Sequence, residues 1–478
     1  MTAPEAWTGA WVAERLGVRL ATGAGLGGLT VPELVGLALR VNPRRSHLLV
    51  SRVLGKHVPA PPALVHGAGR LLGATVGDLL AAGDSGLPDL AGRLLAAALA
   101  GDASAPAALL ALCDRHRAAT TPIDALVLGY AETATGLGHS VADALGADYL
   151  HSTRRPVPGM APIGAFEESH SHATSHLLLP EDPELFAGPR PLVLVDDELS
   201  TGATVIDTIR AVQSVAPRER YVVATLIDLR SAADRRRLTE FAERLDVRVD
   251  VVALATGELE LPADALARGR ELAANFARAP GVVPAPCHRP ASASGVRWPD
   301  GVRDGGRHGF RAADRALFDA AVREVAAGLL PTVLGGLPDG GSRLLVLGTE
   351  ELMYLPIRVA AELAGRTEGH GVDVLFSSTT RSPVVAIDDP GYAIRTALTF
   401  GSHDDPADGP GHRFAYNVAP AGAGPAFDAA VLVVDDRSVA WPAEGARLPD
   451  RLAGVVAGPV TVLTVPSHRP ARAGERLR

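Results

Sequence analysis

Cysteine is nearly missing from this chain. Cys113 and Cys287 lie far apart and form no CxxC pair, which excludes a disulfide framework and makes a reducing compartment the default. Lysine is scarcer still: Lys56 is the single lysine among 46 basic residues. Aromatic residues make up only 4%, and charge of positive sign is not in excess, the formal net charge being −8. A general nucleic-acid binder carries a basic face, so that class is disfavoured. No apolar run approaches the roughly 20 residues of a membrane span. The N-terminal MTAPEAWTGAWVAERLG has no basic region leading into an apolar core. The expectation is a cytoplasmic protein with neither a membrane nor a nucleic acid as partner.

What is abundant is aliphatic. The 478 residues are 47% hydrophobic and 21% charged, with Ala, Gly, Leu, Val and Arg dominant. That composition suits small-residue helices on Val/Leu strands, an α/β fold of two or three domains. Residues 31–41 read as a short amphipathic helix and 47–50 as a strand, followed by a helical insertion over about 61–119. Strands at 125–129, 149–152, 191–195, 221–228 and 248–254 then alternate with helices near 138–146, 205–216, 232–245 and 263–278. Such alternation predicts a doubly wound, mostly parallel sheet. Residues 279–309 lose all periodicity and crowd Pro, Gly, Ser and Arg around Trp298, which reads as a tether. The expected division is a first domain over 1–280, a linker over 281–310 and a second α/β domain over 311–478.

The second half echoes the first, in the same order. ALVLGYAETATGLGHSVADAL (125–145) resembles RLLVLGTEELMYLPIRVAAEL (343–363), setting Gly129 against Gly348 and Glu132 against Glu350. HSTRRPV (151–157) resembles SSTTRSPV (377–384), and VLVDDELS (193–200) resembles VLVVDDRS (431–438). Three echoes in one order point to a duplicated fold.

The most informative stretch is LVLVDDELSTGAT, Leu192 to Thr204. A strand that enters a small-residue loop and then a helix is suited to anions, because first-turn N–H groups lack intrahelical partners and the helix dipole favours negative charge. Ser200, Thr201, Gly202, Ala203 and Thr204 allow a phosphate close to the backbone. Neither a Walker loop nor a GxGxxG fingerprint is present. Asp196 and Asp197 beside a phosphate would repel it, unless sugar hydroxyls or a divalent cation lie between. The stretch therefore fits a sugar phosphate. A plain strand end followed by a capped turn is the alternative.

An acidic pair, two residues and then S-T-G-x-T after an apolar strand resembles the PRPP-binding loop of type I phosphoribosyltransferases. Glu198 departs from that motif, standing where an apolar residue is usual. The chain is also similar to the orotate phosphoribosyltransferase-like proteins of tellurium-resistance (ter) operons, in which a second domain is named for a Thr-Arg-Ser-Pro motif. Here that motif is Thr380-Arg381-Ser382-Pro383, and NPRRSHLLVSRVLGKHVP (42–59) and EESHSHATSHLLLP (167–180) carry the likeness further. The resemblance covers most of the chain apart from 61–119 and the linker. It implies a type I phosphoribosyltransferase fold, a degenerate second copy of it, and transfer of ribose 5-phosphate from PRPP to a heterocyclic base with Mg2+. It further implies that Asp196 and Asp197 hold the ribose hydroxyls and Mg2+ with PRPP, and that Ser200–Thr204 cradle the 5′-phosphate. Ala134, Thr135 and Gly136 would approach pyrophosphate, with Arg154, Arg155, Lys56 and Arg52 as its cations. Pairing of two copies is common to such folds, so a homodimer is expected.

Other signals remain open at this level. The loop 157–190 is long enough to be a lid that excludes water. Its His170 and His172, with His176, Glu167 and Glu168, would act over pyrophosphate or base, bind a transition metal, or simply be solvated. Lys56 is either a chance survivor of a codon bias or a position that needs a compact ammonium. In the second domain Asp435 and Asp436 repeat the acidic pair, but Trp441 and Pro442 follow where the small loop should be. Arg381 either holds an anionic ligand there or belongs to a scaffold. A protein that senses PRPP without turnover is the alternative to an enzyme.

Overall fold

The computed structural model describes residues 7–42, 45–157, 159–167, 175–276, 291–338, 340–402, 411–422, 424–436 and 447–467. Apolar strands of four to nine residues, Leu126–Gly129, Asp148–His151, Leu192–Leu199 and Arg220–Asp228, pair in parallel with Arg248–Glu260 into the core of a six-stranded sheet. Arg19–Gly25 closes one edge antiparallel. Numbered along the chain, the five parallel strands lie in the order second, first, third, fourth, fifth. The strand order thus reverses between Leu126–Gly129 and Leu192–Leu199. In open α/β sheets this switch point is where ligands bind, beyond the carboxyl ends of the strands.

The second half builds a five-stranded parallel sheet from Ser292–Ala293, Ser342–Gly348, Val372–Ser378, Ala429–Asp435 and Val460–Val465. After the short edge strand Ser292–Ala293, its strands repeat the order second, first, third, fourth. The duplication read from three sequence echoes is therefore a duplication of topology.

Local hydrogen bonds fix how the two halves correspond. Ser152 N donates to Gly129 O at 3.0 Å, as Thr379 N does to Gly348 O at 3.1 Å. Ala131 N donates to Ser152 Oγ at 2.9 Å, as Glu350 N does to Thr379 Oγ1 at 3.1 Å. Arg155 N donates to Thr153 Oγ1 at 3.1 Å, as Ser382 N does to Thr380 Oγ1 at 3.2 Å. Thr153 bridges Leu177 as Thr380 bridges Phe414. HSTRRPV thus matches Ser378–Val384 without a gap, and Arg154 corresponds to Arg381. The same register sets Glu132 against Glu351, one residue beyond the Glu350 suggested by sequence.

Two readings need correction. Residues 31–41 are not one helix. A single turn, Val31–Leu34, is capped by Glu33 Oε2, which accepts from Thr30 N at 2.7 Å. The chain then becomes the strand Val35–Leu39, paired antiparallel with His47–Ser51. VGLAL is buried on both faces, and a short apolar run carries no period that separates strand from helix. The stretch 61–119 is helical, as expected, in Pro62–Ala81, Leu87–Leu99 and Ala105–Ala119, and packs into the first half. Gly69 and Gly73 of the first helix lie so close to helix Thr135–Leu145 that added methyls would meet Ser140 Cβ at 2.5 Å and Val141 O at 2.7 Å.

Nor are residues 291–310 a loose tether. Ser292–Ala293 pairs with Val460–Val465, Trp298 is buried beside Phe318, and Phe310 exchanges two 2.8 Å backbone hydrogen bonds with Tyr149. The segment straps the edges of both sheets together. A strap held by isolated pairings has no sequence period to reveal it.

The topologically equivalent helices Thr135–Leu145 and Tyr354–Arg366 pack on each other across the two halves. His139 stacks on Tyr354 with ring centroids 3.6 Å apart, and a Cβ on Gly136 would meet Ile357 Cδ1 at 2.9 Å. Buried Asp143 is bonded by Tyr354, Arg315 and His66. One hydrophobic core runs through both halves, and a second, smaller one lies on the far face of the second sheet. Among the described residues no helix is long and apolar enough to cross a membrane.

Candidate active site

A cleft of about 280 Å³ opens at the switch point of the first sheet. Its floor is the strand Leu192–Leu199, which extends beyond its apolar part so that Asp196, Asp197 and Glu198 still lie on it. All three are half-buried. Asp197 N donates to Asp196 Oδ1 at 2.9 Å, which turns the first carboxylate back along the strand. Burial pushes the Asp197 carboxyl up to about 6; the Glu198 charge adds to this, and Lys56 opposes it.

Beyond the acids, Ser200 to Val205 line one wall. Gly202 has a φ of +76° and precedes the 13-residue helix Ala203–Val215. Only Arg230 Cδ would lie within 4 Å of a methyl there, at 3.7 Å, so glycine supplies the left-handed turn rather than room. First-turn N–H groups of this helix open on the cleft, a site that suits a phosphate. Thr201 O is held from behind by Arg237, at 2.6 Å.

The opposite wall is Tyr130, Ala131, Glu132 and Thr133, with the Ala131–Glu132 peptide bond cis. Lys56 reaches it from the loop after strand His47–Ser51. Its ammonium lies 2.7 Å from Thr133 Oγ1 and 3.2 Å from Glu132 Oε1, with the side chain only 7% exposed. The single lysine of the chain therefore stands inside the cleft. Arg154 lines it too, and its N–H donates to Glu351 Oε1 at 2.9 Å. The hairpin Val35–Leu39/His47–Ser51 contributes Arg40, Arg45, Leu48 and Leu49. Arg45 grips Glu198 with both terminal guanidinium nitrogens. That pair explains the one departure from the motif: an acid is accommodated there because a cation is supplied to it.

Arg40, Arg45, Lys56, Arg154 and Arg381 face Glu132, Asp196, Asp197 and Glu198 across the cleft, a balance that suits an anionic ligand. His57, beside them, is held well below the usual imidazole range by burial and by Lys56 and Arg40, and is neutral. His176 is buried, bonds Ser152 Oγ through Nδ1 at 2.9 Å and stacks on Phe166 at 4.8 Å.

The structure thus brings together Asp196, Asp197, Ser200, Thr201, Gly202, Ala203, Thr204, Lys56, Arg154 and Arg381. Other expected site residues stand elsewhere. Arg52 donates to Glu33 O at 3.2 Å and Leu99 O at 3.0 Å, tying down two helix ends. Arg155 is buried in an ion pair with Asp435 of the second half, at 2.6 Å. Ala134, Thr135 and Gly136 begin a helix and are buried; the four residues before them form the wall. Glycine and small residues near a strand end drew attention to the wrong part of that turn. His170, His172 and Glu168 lie outside the described residues, as do Trp441 and Pro442. Of 157–190, Gly164–Glu167 and Ser175–Leu178 form an antiparallel hairpin. Among the described residues no cluster of three His, Cys, Asp or Glu is placed to hold a metal ion. Arg40, Arg45, His57 and Tyr130 were missed, because they come to the cleft from three separate stretches of chain.

Residues 34–258 match the family model of a phosphoribosyl transferase, and residues 304–446 match a TRSP domain, described as lying C-terminal to that transferase. No curated protein matches the chain. Among solved structures it is similar to adenine phosphoribosyl transferase from Trypanosoma brucei, with 18% identity over 30% of this chain and 60% of that one and a TM-score of 0.23. It is also similar to the enzyme from Giardia lamblia, with 19% identity over 30% of this chain and 79% of that one and a TM-score of 0.23. The enzyme from Rhodothermus marinus shows 20% identity over 31% and 79%, with a TM-score of 0.21. The chain thus spans under two thirds of the length of the first.

Proposed function

We propose that this chain, a phosphoribosyl transferase domain followed by a TRSP domain, transfers ribose 5-phosphate from PRPP to a heterocyclic base and releases pyrophosphate. The observation that carries the reading is the convergence of Asp196, Asp197, the Ser200–Thr204 loop and Lys56 on one cleft at the switch point. The loop takes the 5′-phosphate on backbone N–H groups and hydroxyls, and Asp196 and Asp197 accept hydrogen bonds from the ribose hydroxyls. As the bond from C1 to the pyrophosphate oxygen breaks, positive charge grows on the ring and negative charge on the leaving group. A nitrogen of the base then forms the new bond to C1. Lys56, Arg154 and the Tyr130–Thr133 wall face the leaving group, and Glu132 keeps the Lys56 ammonium in place between the two.

The carboxylate oxygens of Asp196 and Asp197 suit a hard cation that shares its shell with substrate phosphates. Mg2+ bound there with PRPP would neutralise charge on pyrophosphate. The hairpin Gly164–Glu167/Ser175–Leu178 is the element from which a water-excluding lid would extend. A role in a ter-operon stress response, supported by the resemblance of the Thr380–Pro383 motif, is part of the same proposal. So are a cytoplasmic location and pairing of two copies, which sedimentation would read.

Pyrophosphate release after mixing the protein with PRPP, Mg2+ and a panel of bases tests the reading. Release that depends on one base is expected. Tight PRPP binding with no release for any base would replace the enzyme with a PRPP sensor.

A further inference from the structure

We propose that the second domain completes the first domain's cleft, with Arg381 contacting a phosphate or pyrophosphate oxygen of the ligand. This rests on the phosphoribosyltransferase reading and adds to it a role for the Thr380–Pro383 motif. All four residues of that motif line the cleft of the other domain.

The way the halves meet explains how it arrives there. Arg154 and Arg381 hold corresponding places, at the turn after the second parallel strand of each sheet. Each turn crosses to the glutamate of the opposite half. Thr153 Oγ1 and Arg154 N donate to Glu351, at 2.7 and 2.9 Å, while Arg381 Nε lies 3.8 Å from Glu132. Pro383 O accepts from Val41 N at 3.4 Å, which fastens the motif to the hairpin that walls the cleft. The equivalent helices stack between these two crossings. The second domain therefore stands to the first as a partner subunit stands in a two-fold dimer, within one chain.

Charge makes the exchange one-sided. Glu350 binds Arg381 Nε at 2.6 Å and Arg413 Nε at 2.7 Å, and Glu132 binds Lys56. Arg381 thus reaches the cleft already oriented by Glu350, whose second pair, with Arg413, lies outside the cleft lining. In the other direction Arg155, at the place that Ser382 holds in the second half, pairs with Asp435 of the second half's acidic end. One half offers an open cleft, and the other supplies it with a guanidinium suited to paired oxygens of a phosphate.

Calorimetry of PRPP with Mg2+ on the full chain tests this, using wild type, Arg381→Ala, Arg381→Gln and Arg413→Ala. The glutamine variant keeps a hydrogen-bond donor near Glu350 if the alanine variant fails to fold. Arg413→Ala removes the other partner of Glu350 without touching the cleft, and so reports a purely structural loss. Weakening between about tenfold and a hundredfold is expected for the Arg381 variants, the range for one hydrogen bond to a charged group. Arg413→Ala should stay within about threefold while its melting temperature falls, the sign of a loss confined to folding. Wild-type binding that Arg381→Gln leaves intact, or that Arg413→Ala weakens as much, would overturn the inference alone. Absence of wild-type PRPP binding would overturn the functional reading and this inference together.

Discussion

Asp197 should make the affinity for PRPP depend on pH, with a sign and size that follow from the cleft. Burial and the neighbouring Glu198 raise its carboxyl to about 6. As a hydroxyl acceptor and cation ligand the group must be ionised, so binding strengthens as pH rises through that value and levels off above it. At pH 5 about one molecule in eleven would carry the ionised form, against nearly all at pH 7.5, which weakens binding about tenfold. PRPP phosphates titrate over the same interval, and Asp197→Asn supplies the baseline for them. Calorimetric Kd values for PRPP with Mg2+ from pH 5 to 8 should fall more steeply for wild type than for the variant. The ratio of the two curves should change by about tenfold between the ends. Parallel curves would refute the reasoning, since they would mean that the carboxylate either is not raised or does not meet the ligand.

Four further outcomes are expected. Asp196→Asn with Asp197→Asn should weaken PRPP binding by more than about a hundredfold, from the loss of charged hydrogen bonds. Asp435→Ala should leave that binding within about threefold but lower stability by about 3 kcal/mol in urea unfolding, because it removes one side of a buried ion pair with Arg155. Lys56→Arg should not rescue what Lys56→Ala loses. The ammonium sits nearly buried, 2.7 Å from Thr133 Oγ1, in a compact contact that a planar guanidinium does not reproduce; kcat/KM of both variants should fall by at least about tenfold. Gly202→Ala meets no clash but carries a left-handed φ of +76°, so it should cost about 1 kcal/mol, read as a lower Tm.

The parallel sheet and the small-residue loop of the cleft were legible in the linear chain because both are local. An apolar run of four or five residues, the acids after it and the small residues of the turn are contiguous, and the backbone they need is set within a dozen positions. The same holds for the strands Leu126–Gly129 and Ser342–Gly348, whose burial is continuous rather than alternating. Segments without a period were misread: VGLAL as part of a helix, the strap around Trp298 as a tether. The first is fixed by its hairpin with His47–Ser51, and the second by pairing with strands far away in the chain.

What the sequence by itself determined is the acidic strand end, its loop and the repeated order of strands. Only the tertiary structure decided which cations reach them. Arg52 and Arg155 read as phosphate ligands by type and position, yet one ties helix ends and the other neutralises Asp435. Arg381 read as the business of the second domain, yet it lines the cleft of the first. A long flexible cation can serve any acid within several ångströms, so its partner is set by how two domains pack. That packing is decided by buried contacts such as His139 on Tyr354, which have no signature along the chain.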